Sequence, residues 1–394
     1  MVDARLASEA PSTRRSGLLH LGTIAIGLLG VAYVVEGYFR SLSGPLPQDL
    51  ARRWLENAYF VRRVNSFDVF AGTAPIAPDI GPAHPGGYPP WSLVLGLLVA
   101  PPLDQEWLRW YFALLNAVAL AAVVVFARRM SAPYGKDAAN LVTASILAIS
   151  ANAVTLRNGQ YGLLINGFLA ALLGAFSARR PLSGGLFLAF AALKPQSSGP
   201  FALLFLARGR WIGALTAAVV LATCTLGAAL WLGSSPFRLL SQVFGQAAHW
   251  EGGDTGILRL LLLAGAPRAT AISGLAVASL VGGTVLYAVH RERSLLVQAA
   301  IACVVARMWA YHRRYDDVLM VFLLVPLAFA AFERSTRGAW IAFLSVGVTL
   351  WLPLREVDHG ALLILAKVLV WFGGLAWLLR SPYGRQDAKA PSAS

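Results

Sequence analysis

Between Leu19 and Arg380 one apolar run follows another, separated by short turns in which arginine recurs, and this pattern restricts the fold more than any other feature of the chain. Runs of roughly 20 apolar residues match the hydrocarbon thickness of a bilayer. No water reaches that layer, so each backbone N–H and C=O must find its partner within the chain, which leaves helices as the form for such runs. With 394 residues, 57% of them hydrophobic and 13% charged, and a mean hydropathy of +0.62, the sequence has too little polar surface to coat a water-soluble globule. It reads as an all-α polytopic membrane protein, a single membrane domain over 1–394.

A formal net charge of +14 invites a nucleic-acid partner, but the cations cluster between apolar runs, as in cytoplasmic loops. No nucleic acid is expected; membrane lipids are. Cys224 and Cys303 lie inside apolar runs, so neither a disulfide framework nor a thiolate metal site follows. The run from Leu19 to Val35 has no small-residue cleavage pattern after it and is expected as the first, uncleaved span, behind a cytoplasmic tail at 1–18.

Spans are expected near 19–38, 107–128, 138–155, 162–178, 183–196, 198–208, 211–232, 270–289, 294–310, 316–332, 338–354 and 361–380, about twelve in all. The fifth and sixth are short and flank Lys194-Pro195-Gln196, which fits either one kinked span or a hairpin. Clusters at Arg14-Arg15, Arg128-Arg129, Arg179-Arg180, Arg208 with Arg210, Arg291 with Arg293, Arg334 with Arg337, and Arg380 with Arg385 share the cytoplasmic side only if a hairpin is formed. Both termini are then cytoplasmic, the last residues, 381–394, forming a disordered tail. The run from Trp91 to Pro102 is too short to span, so it is placed at the outer surface inside a long extracytoplasmic loop over 39–106. In that loop Leu50, Trp54, Ala58 and Val61 oppose Arg52, Arg53, Arg62 and Arg63, the signature of an interfacial helix.

This topology puts the polar turns on one face: Asp49 to Pro90, Arg157 to Tyr161, Lys194 to Gln196, the stretch with His249, Trp250, Glu251, Asp254 and Arg259, Tyr311 to Asp317, and Arg355 to His359. Carboxylates, amides, His and Arg gathered beside interfacial helices suit a lipid-linked substrate whose head group reacts at the surface. A secondary transporter or lipid flippase is the alternative, since Lys194-Pro195 in a broken helix is a feature such proteins use; no repeat between the halves supports it. A non-catalytic scaffold leaves the concentration of Asp, His, Asn and Gln unexplained.

The order Asp49, Ser66-Phe67-Asp68, Tyr88-Pro89-Pro90, Asn158-Gly159-Gln160, Lys194-Pro195 and His312 to Asp317 resembles the integral-membrane, GT-C-fold glycosyltransferases that use polyprenyl-phosphate sugars, and is most similar to the mannosyltransferases of glycosyltransferase family 87. The resemblance covers about residues 15 to 380. Two motifs depart from it: Phe67-Asp68 stands for a Tyr-Asp pair, and Gly253-Asp254-Thr255 is all that remains of an Asn-Gln-Ser-like stretch. The resemblance implies transfer of a hexose, mannose first, from a polyprenyl-phosphate donor to a lipid or glycan acceptor. Transfer inverts the anomeric carbon, at the periplasmic or exterior face of a bacterial inner or plasma membrane, with an Asp of the first loop as general base.

Under that implication Asp49 is the base, because a sugar hydroxyl needs a carboxylate in hydrogen-bond reach to take its proton. A departing phosphate carries its own charge and needs only cations, for which His312, Arg313, Arg314 and Lys194 are the candidates. Asn158, Gln160, Tyr88, Asp68 and Gln196 are candidates for sugar or acceptor. Each has a structural counterpart. Asp49 also suits a helix N-cap, Asp68 an ion pair with an arginine of its own loop, Lys194 a snorkelling cation, and the His312 turn a self-paired surface. Lys367, inside the last span, is costly there unless paired or functional. No metal and no cofactor are expected.

Overall fold

The structure, a computed structural model, describes residues 13–248, 255–354 and 356–384. His249, Trp250, Glu251, Asp254, Arg355 and Arg385, together with most of the two expected tails, lie outside the described residues. What is described is helical: α1 (Thr13–Leu42), α2 (Gln48–Val61), α3 (Ser66–Phe70), α4 (Trp91–Gly96), α5 (Gln105–Met130), α6 (Gly135–Leu147), α7 (Ala151–Asn158), α8 (Gly162–Ser177), α9 (Pro181–Ala191), α10 (Pro195–Ser198) and α11 (Leu203–Ala207). There follow α12 (Trp211–Trp231), α13 (Pro236–Ala248), α14 (Ile257–Leu263), α15 (Arg268–Val289), α16 (Leu295–Met308), α17 (Val321–Arg334), α18 (Arg337–Trp351) and α19 (Glu356–Arg380).

Six of these segments are long and apolar enough to cross a membrane, or seven when the bent pair α6–α7 counts as one. Four more apolar helices, α8, α9, α16 and α18, have 10 to 17 residues. The chain is a helical membrane protein. The expected span at 198–208 is not one helix: Gly199 and Pro200 leave a 3-10 turn over Gly199–Ala202, followed by the five residues of α11. The chain doubles back at Lys194, because the ring of Phe205 returns to within 5.4 Å of Phe176 at the end of α8.

Helix ends follow the local chemistry. The Asp104 carboxylate caps α5 by accepting from Glu106 N at 2.9 Å, and Arg128 and Arg129 close its last turn, where the helix dipole favours cations. Arginines of the basic turns also bind the orphan carbonyls of other helices. Arg210 Nη1 donates to Phe176 O at 2.5 Å, and Arg293 Nη2 reaches Leu378 O at 2.7 Å and Ser381 O at 2.6 Å. At the opposite end, indoles staple the long loop: Trp54 to Leu103 O within the loop, and Trp91 to Ala192 O and Trp231 to Phe60 O between loop and bundle, each at 2.7 Å. Trp107 and Trp110 are exposed, as belt residues are.

The core runs through α16 and the nearly wholly buried α17, whereas α1 and α15 leave most of their apolar surface outward. That surface is what a lipid-facing helix presents. Inside the core, Asp317 sits between Arg307 Nε at 2.9 Å and Lys367 Nζ at 2.7 Å. The intramembrane lysine is therefore paired, tying α19 to α16 and to the 3-10 segment Arg314–Met320.

Candidate active site

The turns at 49–90, 158–161, 194–196 and 311–317 meet at one end of the helices. Two local features bring them together. Asn158 ends α7 and Gly159 follows at φ +69°, a left-handed turn that glycine adopts without strain. A Cβ on Gly159 would lie 2.5 Å from Leu50 Cβ, so α2 settles directly on this turn and Gln160 comes up beneath Asp49. Lys194 ends the α9 segment in an extended conformation, φ −129° and ψ 82°, as a residue before proline does.

These turns enclose a cavity of about 290 Å³. Asp49, Gln160, Tyr88, Lys194 and Asp316 line its polar part, and Phe244, Ile272 and Ala310 its apolar part. Phe244 and Ile272 are exposed on the outer surface as well. Arg52, Arg53 and Arg268 supply further positive charge to the wall. Asp49 is in the first turn of α2, one residue inside the helix, whose N-cap position is taken by Pro47 and so carries no side-chain cap. Instead its Oδ2 accepts from Gln160 Nε2 and its Oδ1 lies 3.6 Å from Arg52. Gln160 is oriented in turn by the Tyr88 hydroxyl, which donates to its Oε1 at 3.2 Å.

Behind Tyr88 lies a pair that the sequence reading did not single out. The Arg53 guanidinium stacks 4.2 Å from the centre of the Tyr88 ring and is hydrogen-bonded to the Glu56 carboxylate, both residues being buried. Glu56 Oε1 also accepts the Gly86 N–H at 2.5 Å. Burial pushes the Glu56 carboxyl up to about 7, against the pull of Arg53. An Arg and a Glu three apart on an amphipathic helix look like a solvated i, i+3 pair; the sole sign of burial was the Gly86-Gly87 stretch, where the backbone can approach closely.

Of the four proposed phosphate cations, the structure gives Lys194 and His312 partners of their own. Lys194, 3% exposed, is hydrogen-bonded to Asp316 Oδ1. His312 is fully buried, its Nδ1 3.2 Å from Asp316 Oδ2 and its Nε2 2.6 Å from Ala306 O. Asp316 also accepts the Arg313 backbone N–H at 3.1 Å. Arg313 binds the Tyr311 hydroxyl. Arg313 and Arg314 lie outside the cavity wall, which Tyr311 and Tyr315 reach instead.

The candidate sugar ligands divide likewise. Tyr88, Gln160 and Gln196 line the cavity, and the Gln196 carbonyl is fixed by Trp309 Nε1 at 2.7 Å. Asn158 stands back from it at the end of α7. Asp68 requires a correction: its partners are Arg238 at 2.8 Å and Gln242 at 2.9 Å, both on α13 and not in its own loop. It holds α13 against α3. Among the described residues no three His, Cys, Asp or Glu side chains gather as a metal's ligand set requires.

Beneath the site, Thr155 Oγ1 donates to Tyr315 O at 3.0 Å and Asn166 Nδ2 to Val318 O at 2.7 Å, so α7 and α8 fix the segment that carries Asp316. No curated protein and no solved structure matches the chain. The model of glycosyltransferase family 87 matches residues 87–330, which is more than half of the chain and takes in the Gly87-Tyr88 wall, Gln160, Lys194 and Asp316. The chain belongs to glycosyltransferase family 87.

Proposed function

We propose that this glycosyltransferase moves a hexose, mannose first, from a polyprenyl-phosphate donor to a lipid or glycan acceptor at the outer face of the membrane, with inversion and with Asp49 as general base. The observation that carries the reading is the position of Asp49. Its carboxylate faces a cavity whose wall changes from charged to apolar over the short distance between Arg268 and Ile272, one turn apart on α15. A lipid phosphate has that same polarity, a charged head on an apolar tail.

In this reading the acceptor hydroxyl gives its proton to Asp49 as it attacks the anomeric carbon, and the phosphate leaves on the opposite side of the sugar. Gln160 keeps one carboxylate oxygen engaged and so aims the other. Arg268 takes the phosphate, since a guanidinium matches two phosphate oxygens and Arg268 begins α15, whose N-terminal end favours an anion. Lys194 contributes its field from behind Asp316. Tyr88, Gln196 and Gln160 hydrogen-bond the sugar. The even number of crossings, the cytoplasmic termini and the outward site belong to the same proposal.

The test incubates purified protein with polyprenyl-phosphate-mannose, and separately with other polyprenyl-phosphate sugars, in the presence of a lipid extract. Transfer is expected from at least one donor and is lost in Asp49→Asn. A folded Asp49→Asn protein that transfers at a near-wild-type rate removes Asp49 from the base role. Tags at Gly72 and Arg385 that prove to lie on the same side of the membrane overturn the topology.

A further inference from the structure

We propose that Glu56 is a positioning residue for sugar transfer: by anchoring Arg53 and Gly86 it fixes Tyr88, and through Tyr88 and Gln160 it sets the orientation of the Asp49 carboxylate. The inference deepens the reading of Asp49 as base and rests on it. The path is continuous in space. Glu56 Oε2 accepts from Arg53 and its Oε1 from Gly86 N at 2.5 Å. Arg53 lies on the Tyr88 ring at 4.2 Å, the Tyr88 hydroxyl donates to Gln160 Oε1 at 3.2 Å, and Gln160 Nε2 donates to Asp49.

Each link has a direction, and this separates the path from mere proximity. A side-chain amide presents oxygen on one side and nitrogen on the other. Because the Tyr88 hydroxyl claims the Gln160 oxygen, the NH2 group must face Asp49 as a donor. Were Tyr88 to swing away, the amide would lose the bond that fixes its oxygen, and rotation of the side chain would carry its NH2 group out of line with Asp49. Tyr88 in turn is held from behind: a Cβ at Gly86 would run into the Arg53 guanidinium, so the chain passes close against the Arg53–Glu56 pair. Tyr161 packs edge-on against Tyr88 at 5.6 Å and closes the remaining side.

Glu56 also confers sensitivity to pH. The charged and titratable groups that face it are Arg53 and Arg52 of its own helix and, through its electrostatic effect, Tyr161 at the start of α8. Arg53 additionally feels Tyr88 and Asp49. When Glu56 is ionised, it holds Arg53 on Tyr88. When it is protonated, Arg53 loses its counter-charge, and Asp49 is the other carboxylate within its electrostatic reach. Its shift toward Asp49 releases Tyr88 and competes with the acceptor hydroxyl for the base.

The experiment measures transfer from polyprenyl-phosphate-mannose to a lipid extract as a function of pH for wild type, Glu56→Gln, Tyr88→Phe, the double variant and Asp49→Asn. Wild-type kcat is expected to fall on the acid side with a midpoint near 7. Glu56→Gln is expected to lower kcat at least tenfold with KM within about twofold, and to flatten that acid limb. Tyr88→Phe, which keeps the ring and removes the hydroxyl, is expected to lower kcat similarly, and the double variant to be little worse than either single one. Strictly additive losses, or a wild-type pH profile in Glu56→Gln, overturn the proposal while leaving Asp49 as base. An active Asp49→Asn sinks the base reading itself. Hydrogen exchange of the 84–90 segment in donor-free protein supplies a measure independent of the donor. Protection at Gly86 is expected to drop in Glu56→Gln at pH 8, and unchanged protection there also overturns the proposal.

Discussion

The ammonium of Lys194 closes on the carboxylate of Asp316 across 122 residues of chain, and both are almost completely buried. A charge taken out of water is costly, and a pair so placed is tolerable because each member satisfies the other. Removing one partner leaves the other uncompensated, at about 3 to 5 kcal/mol. Asp316 also serves His312 and the Arg313 N–H, so Asp316→Asn should be the more damaging change. We expect the thermal midpoint in detergent to fall further for Asp316→Asn than for Lys194→Met. Adding Lys194→Met to Asp316→Asn should recover part of the loss, because the stranded cation is then gone. A double variant that falls by the full sum shows that the two residues are not coupled.

Gly159 offers a change confined to the junction of α2 and α7. Its φ of +69° strains any residue with a Cβ, and that Cβ would meet Leu50. Strain of about 1 to 2 kcal/mol adds to overpacking of about 1 to 3 kcal/mol. Gly159→Ala should therefore lower the unfolding midpoint and push Gln160 away from Asp49, with transfer reduced more than tenfold. Gly159→Asn, which tolerates the left-handed turn better, is expected to keep more stability than alanine while losing comparable activity, since the contact with Leu50 remains.

The class of fold was legible because hydrocarbon demands long apolar helices. The polar turns at 49–90, 158–161, 194–196 and 311–317 were identifiable for the same reason, and they do come together. What could not be read was who pairs with whom. Lys194 looks like a ligand-binding cation until the fold brings Asp316 to it, whereas His312 pairs with Asp316 of its own turn, as its structural counterpart allowed, but buried and not at the surface. Asp68 has arginines nearby in sequence, yet its partner Arg238 arrives on α13. Glu56 and Arg53 resemble a solvated pair on an interfacial helix, and only the chain from Ala83 to Gly87, laid over them, shows them to be buried. The break at 198–208 was missed, although Gly199-Pro200 stands there in the sequence.

Asp317 stands between two cations, so removing one of them is not equivalent to removing the anion. Lys367→Met leaves Asp317 and Arg307 as a balanced pair, 2.8 Å apart. Asp317→Asn leaves two buried positive charges facing each other, which is worse than one. We expect the midpoint of thermal unfolding to fall modestly in Lys367→Met and severely in Asp317→Asn. Combining Asp317→Asn with Lys367→Met should be milder than Asp317→Asn alone. Equal losses in the two single variants would exclude this charge arrangement.

The Glu56 carboxyl links stability to pH in the direction opposite to activity. Its ordinary value of 4.5 is raised to about 7 in the folded protein by burial, which Arg53 only partly offsets. The folded state therefore binds the proton more tightly than the unfolded state does. The resulting stabilisation is fully present below pH 4.5 and is lost as pH rises through 7. A shift of this size corresponds to about 3 kcal/mol. Glu56→Gln has no such proton, so the stability of wild type relative to this variant should decline by about that amount between pH 4 and pH 8. Denaturant or thermal unfolding at a series of pH values measures it, and a difference independent of pH would mean that Glu56 titrates normally in the fold. Protonation strengthens the fold at Glu56, whereas the ionised form holds Arg53 on Tyr88. Stability of the chain as a whole is therefore lowest in the charge state in which Glu56 holds Arg53 and the Gly86 N–H most firmly beside Tyr88.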